Sequence, residues 1–255
     1  MHCSMPMRSL RLLSLVIPML AASTALADAP PAATAPAGPA APAAPAIDPE
    51  VARLRAAQGH ALRWNYVPAG ATARYGHGEA LVQAPIDLVR AQVLDFGKYK
   101  EYSNGKFKTA RIVDKNQGSP GTTDVYVQVP ILHGMIMLWQ IIRFEPLKTT
   151  APGTEVLVGK LVSGNVNAAD IQVTMRAIDP QTTVLKCDLL ITPQIAAPQS
   201  AIDTELRDAA ADAVDAILVR AQKKVADALV AAAAGTTAPT ASATTPPPAV
   251  AEGKP

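Results

Sequence analysis

Ser200-Ala-Ile-Asp-Thr-Glu-Leu-Arg-Asp-Ala-Ala-Ala-Asp-Ala-Val-Asp-Ala-Ile-Leu-Val-Arg-Ala-Gln-Lys-Lys-Val-Ala-Asp-Ala-Leu-Val-Ala-Ala-Ala-Ala234 is the longest helical pattern in the chain, and it holds no Gly or Pro. Ile202, Leu206, Ala210, Val214, Ile217, Ala221, Val225 and Leu229 recur at steps of three or four, which is one stripe of an α-helix. Ser200 and Asp203 have the form of a capping box, in which a hydroxyl accepts from an orphan N–H and an acid three residues on reaches back. Asp203, Glu205, Asp208 and Asp212 crowd the first half, and Arg220, Lys223 and Lys224 the second, an order that follows the helix dipole. Gly235 offers a left-handed stop. At about 1.5 Å per residue the helix is roughly 50 Å long. It cannot bury its stripe alone.

The sequence before it supplies a partner. Val125, Val127 and Val129 alternate with Asp124, Tyr126 and Gln128. Ile171, Val173, Met175 and Ala177 share one phase of 170–178, and Leu185, Cys187, Leu189 and Ile191 one phase of 184–192. These runs, with 61–67, 75–82, 107–114, 135–144 and 155–162, read as strands. The run 135–144 is apolar in both phases, which leaves its inward face open. The connections at 116–121, 133–134, 146–153, 163–167 and 179–181 are too short for a parallel crossover, so the sheet is antiparallel. Pro49–Gln58, capped by Asp48, and Pro85–Phe96 read as shorter helices, with a further turn over Gly97–Tyr102. The expected fold class is α+β: a strongly curved antiparallel sheet wrapped around the terminal helix, with the end helices over its open side.

The chain ends are not domain material. Residues 1–27 read as a secretory signal, with Arg8 and Arg11 ahead of the apolar core Leu12–Leu20 and a small-x-small site at Ala25-Leu26-Ala27. Cleavage is expected after Ala27, and the product is expected to be periplasmic or secreted. Pro18 and the short apolar length argue against a membrane-spanning helix. Cys3 precedes the apolar core instead of marking the cleavage point, so no lipid anchor is expected. His2, Cys3, Met5 and Met7 look like soft-metal ligands but fall in the segment to be removed. Residues 28–47, nearly all Ala and Pro, and 236–255, rich in Thr, Ala and Pro, read as disordered spacers. That leaves 48–235 as the folded domain. The chain carries 23 Lys and Arg against 21 Asp and Glu, and losing Arg8 and Arg11 makes the exported form near neutral. No basic stripe with interleaved aromatics appears, which argues against nucleic acid as a partner. Cys187 then stands alone and forms no internal disulfide.

From Glu79 to Tyr99 the chain resembles the START-like (SRPBCC) superfamily, the helix-grip group that includes polyketide cyclase/dehydrase proteins and coenzyme Q-binding START domains. Ala84, Pro85, Val89, Val93, Asp95, Phe96 and Tyr99 carry the resemblance. The element order and the terminal helix extend it over about Ala61–Ala234. The sequence departs from the usual pattern in its Pro49–Val67 segment, its export signal and its Ala/Pro tails. The resemblance implies a cavity between sheet and helix for a lipid, sterol, quinone or polyketide. Val127, Met137, Trp139, Val173, Met175, Cys187 and Leu189 are then expected on its sheet side. Ala210, Val214, Ile217 and Ala221 are expected on its helix side.

The residue types favour binding over catalysis. His60, His77 and His133 stand at no metal-ligand spacing, so no metal is expected. Cys187 reads as an inward packing residue and Asp95 as a local hydrogen-bond acceptor. No cofactor and no catalytic set are expected. Gln140, Arg143 and Arg176 are polar within apolar strands; any of them is a candidate for a polar ligand head, with Arg176 more at home facing solvent. The expected activity is sequestration of a hydrophobic small molecule, gated by the terminal helix or by Gly97–Gly105, with transient membrane contact. The alternatives are a cyclase, dehydratase or isomerase, which needs paired titratable groups in the cavity, or an interaction module with a filled core. One question stays open. The stripe is Ala-rich at Ala210, Ala213 and Ala221. Small side chains there either let the backbones approach closely or leave room for a guest.

Overall fold

The computed structural model of the protein describes residues 48–57, 59–103, 105–131 and 134–235. The expected signal segment, both spacers, His133 and Asn104 of the expected gate lie outside them. The chain runs α1 (Pro49–Ala56), β1 (Leu62–Tyr66), β2 (Tyr75–Val82), α2 (Ile86–Val93), a 3-10 turn at Phe96–Lys98 and α3 (Tyr99–Tyr102). It continues through β3 (Thr109–Lys115), β4 (Thr123–Ile131), β5 (Ile136–Phe144), β6 (Lys148–Ala151), β7 (Thr154–Gly164), β8 (Val166–Asp179) and β9 (Thr182–Pro193) to α4 (Gln199–Gly235). The strands make one antiparallel sheet in the order β1-β2-β9-β8-β7-β5-β4-β3, with β6 paired to β7 off that path. The sheet with its long C-terminal helix is the expected α+β helix-grip arrangement.

Alternation gives the sheet an inner face, toward α4, and an outer face. On the inner face Ala80 and Val82 of β2, Leu185 and Cys187 of β9, and Val173 and Met175 of β8 join Leu157, Ile142 and Val125. Val214, Ile217, Leu218 and Ala221 of α4, and Val89 and Val93 of α2, complete this core. Fully burying each such Val or Leu contributes about 1.5–3 kcal/mol. The seat of α4 on the sheet is Gly76 and Gly78 of β2. A Cβ on Gly76 would stand 2.2 Å from the Leu206 carbonyl, and one on Gly78 2.6 Å from the Ala210 oxygen. Over Leu206–Ala210, close backbone approach is therefore what the small residues achieve.

Several local expectations change. Ser200 lies inside α4, and the N–H groups of Ala201 and Ile202 bond the Pro198 carbonyl instead. Asp203 accepts from Arg74 and from Gln199, one helical turn back, at 3.0 and 2.7 Å. α1 does not cover the open side. It packs Val51 and Leu54 against Leu81 and Val184 on the outer face, because those two alternate with inner residues of β2 and β9. β6 is exposed throughout, and its Lys-Thr-Thr-Ala sequence has no apolar alternation to announce it. The expected 163–167 loop is almost all strand, turning at Asn165. The Asn165 amide makes this possible by donating to the Met137 carbonyl and accepting from Trp139 N–H, each at 2.8 Å, so it caps the edge of β5.

Candidate ligand site

Register decides which residues wall the interior. Val127, Val173, Met175, Cys187 and Leu189 lie on the inner face, and Ala210, Val214, Ile217 and Ala221 on the buried side of α4. Met137 and Trp139 do not join them. β5 pairs Gln140 with Val127 and Ile142 with Val125, so its even positions face inward. Its odd positions, Met137 and Trp139 included, face outward, and Trp139 stacks on Tyr126 of the outer face with ring centroids 6.3 Å apart. The same parity turns Arg143 outward onto Asp124, in a two-pronged pair with both bonds at 2.8 Å. Arg176 is on the outer face too, held by Asp48 and Glu50 of α1.

Two grooves open where the interior meets solvent. One, of about 460 Å³, lies beside the first turns of α4, with Ile191, Ile202 and Leu206 as apolar lining and Arg74, Asp203 and Gln199 as polar lining. The other, of about 330 Å³, lies where Leu94 and Phe96 meet the sheet. Ile112, Phe144, Pro146, Leu147 and Leu157 add to its apolar lining, with Lys115 and Glu145 as its charged members. Phe96 and Phe144 stack there at 4.5 Å between centroids.

Two buried polar side chains stand on the inner wall, Gln140 and Thr183. Thr183 donates to the Ala84 carbonyl at 2.9 Å. Gln140 is 3% exposed, and its Oε1 has no hydrogen-bond partner. Leaving such a group unpaired costs about 1–3 kcal/mol. Gln92 Oε1 of α2 is buried without a partner as well. At the wall's margin Glu155 takes a two-pronged pair from Arg90 of α2, at 2.7 and 2.5 Å. This pair ties α2 to β7.

The titratable groups nearest the interior are poorly suited to proton transfer. Burial pushes the Cys187 thiol up to about 12, which keeps it protonated and inert as a nucleophile. Burial also raises the Tyr99 phenol, whose hydroxyl donates to the Val93 carbonyl at 2.5 Å. Asp95 accepts from Tyr102 at 2.6 Å and lies 3.7 Å from Arg220 of α4, so it is engaged in joining α3 to α4. Among the described residues no cluster of three or more His, Cys, Asp or Glu side chains is placed to hold a metal ion.

The outer face carries a polar network that sequence reasoning missed. His77 Nδ1 and the Tyr66 hydroxyl share Asp188 Oδ1 at 2.6 and 2.9 Å, and His77 Nε2 lies 3.4 Å from Glu79. Arg53 of α1 pairs with Glu79 and lies over the Trp64 ring. Burial pulls the His77 imidazole down, but the hydrogen bonds and charges of Asp188 and Glu79 outweigh it and raise its pKa. The available signal was the polar phase shared by His77, Glu79 and Asp188. What joins them is the pairing of β2 with β9.

No protein-family model and no curated protein sequence matches the chain. Solved structures do. A STAR-related lipid transfer protein from Xanthomonas axonopodis superposes with a TM-score of 0.52 at 11% identity, over 63% of this chain and 92% of that one. A START superfamily protein from Mycobacterium smegmatis superposes at 0.48 with 16% identity, over 58% and 97%. The Zhui aromatase/cyclase from Streptomyces sp. R1128 gives 0.44 with 18% identity, over 60% and 95%. At these identities the likeness concerns the fold, and the first of the three carries it.

Proposed function

On this START-like, helix-grip fold, we propose that the protein binds a hydrophobic small molecule between its sheet and its C-terminal helix. The observation that supports a ligand site most is the groove of about 330 Å³ beside Phe96, walled by the sheet and the turn that follows α2. Its volume is in the range of small-molecule sites, and its lining is mostly apolar. Phe144 and Leu157 belong both to that groove and to the inner core, so its wall continues into the interior. Removal of apolar ligand surface from water supplies the affinity, at about 25 cal/mol per Å². The ligand class is a lipid, sterol, quinone or polyketide-like molecule, in keeping with the lipid transfer protein that shares the fold. The protein meets it outside the cytoplasm, in the periplasm or beyond, after removal of residues 1–27. Arg8, Arg11, the apolar core Leu12–Leu20 and Ala25-Leu26-Ala27 support that placement. In this reading contact with a membrane is transient. Among the described residues no helix is long and apolar enough to cross one.

Native mass spectrometry of protein purified from the cells that make it tests this reading. A bound, organic-extractable mass is expected on a chain that begins at Asp28. Protein that is empty, and that stays empty after incubation with lipid, sterol and quinone mixtures, sinks it.

A further inference from the structure

We propose that Gln140 reads the head of the guest, and that the guest is a neutral, hydroxyl-bearing molecule with an elongated apolar body. This deepens the binding reading above and rests on it. Gln140 Oε1 is buried and unpartnered, and the side chain stands on the inner face of β5 between Val127 of β4 and Gly164 of β7. The next inner residues along β5 are Ile142 and Phe144, and Phe144 walls the groove beside Phe96. Gln140 and Phe144 are four strand steps apart, which is roughly 14 Å at about 3.4 Å per residue. An apolar body of that length, laid along the wall from the groove, brings its far end to Gln140.

The chemistry of the head follows from what surrounds the amide. A primary amide accepts through its oxygen and donates through its nitrogen, and it carries no charge. A hydroxyl answers both functions. A carboxylate, phosphate or ammonium head needs an opposite charge once it leaves water. The wall along this track provides none, since the inner positions around Gln140 are Val127, Leu138 and Ile142. Of the other polar groups of the wall, Thr183 is taken by the Ala84 carbonyl and Glu155 by Arg90. Gln140 keeps its Oε1 free to meet a guest.

The test uses the full chain and diphenylhexatriene, a fluorescent probe with no polar group, displaced in turn by 1-hexadecanol and by n-hexadecane. In the native protein hexadecanol is expected to displace the probe more strongly than hexadecane. Gln140→Leu removes the amide and leaves an apolar side chain of similar bulk. Relative to the probe's own affinity for each protein, it is expected to weaken hexadecanol by about tenfold and hexadecane not at all, as fits the loss of one buried hydrogen bond. Gln140→Met serves if the Leu variant does not fold. Equal displacement by hexadecanol in native and variant protein overturns the proposal while the binding reading stands. An equal loss for hexadecane overturns it too, because shape then explains the effect. Failure of the native protein to take up the probe or either competitor overturns the binding reading, and this proposal with it.

Discussion

Replacing Gly76 by Ala is expected to cost about 3 kcal/mol of stability, at the upper end of the range for overpacking. The added Cβ would stand 2.2 Å from the carbonyl carbon and oxygen of Leu206 and 2.6 Å from the Arg207 nitrogen. Ordinary contact for a Cβ begins at 3.4 Å, and the obstacle is helix backbone, which no rotamer change moves aside. α4 must retreat by roughly 1 Å, and a gap of that size forfeits about a quarter to a half of the dispersion energy of each contact it opens. Those contacts belong to Leu206, Ala210 and Ala211, all within the core. Gly78→Ala meets backbone at 2.6 Å and is expected to cost about 2 kcal/mol. Urea unfolding followed by far-ultraviolet circular dichroism measures this. With a slope of about 2 kcal/mol per molar urea, Gly76→Ala lowers the midpoint by roughly 1.5 M. Gly97→Ala is the control, because nothing lies within 4 Å of the added carbon. It is expected to leave the midpoint unchanged or raise it by the equivalent of up to about 1 kcal/mol. A Gly76→Ala protein with the native midpoint would refute the seating of α4 on β2, and the close-approach account of the Ala-rich stripe with it.

Arg90→Met leaves the Glu155 carboxylate, 14% exposed, without its partner and is expected to cost about 1–3 kcal/mol. Adding Glu155→Gln should restore part of that loss, and a double-mutant cycle with no coupling would show the pair to be idle. Cys187 should resist iodoacetamide near neutral pH in native protein and react fully in urea, because burial holds its thiol near 12; peptide mapping that finds equal labelling in both states speaks against an inward Cys187. His77 has a folded pKa raised above 6.5, so its paired charge stabilises the fold fully below 6.5 and that contribution fades as pH rises through the folded value. The stability gap between native protein and His77→Gln should therefore narrow as pH rises above 6.5, and a constant or widening gap would contradict the Asp188–His77–Glu79 arrangement.

The Arg90 and His77 pairs also show where local pattern loses its hold. Arg90 meets Glu155, 65 residues away, and His77 meets Asp188, 111 residues away. Each partner looks like an ordinary surface charge in its own strand or helix. Burial and pairing come only from the folding of distant segments onto one another. The same is true of Asn165, whose amide bonds the backbone of a strand 26 and 28 residues earlier and so turns an expected loop into a tight hairpin.

By itself the sequence determined the element types outside β6 and the turn at Asn165, the antiparallel pairing and the helix that the sheet grips. Those follow from short-range physics: the period of two in Ile171–Ala177 and Leu185–Ile191, the period near 3.6 in Ile202–Leu229, and connections too short to cross a sheet. It also placed Val127, Val173, Met175, Cys187 and Leu189 on the inner wall, because polar residues alternate with them in their strands. It could not place Met137 and Trp139. In β5 both phases are apolar, so only pairing with β4 chooses between them, and a one-residue change of register turns every side chain to the other face. That choice is also what puts Gln140 inside. The tertiary structure alone decided how near α4 lies to the sheet, because two glycines in β2 and the alanines of α4 signal small volume without saying whether a backbone or a guest fills the space.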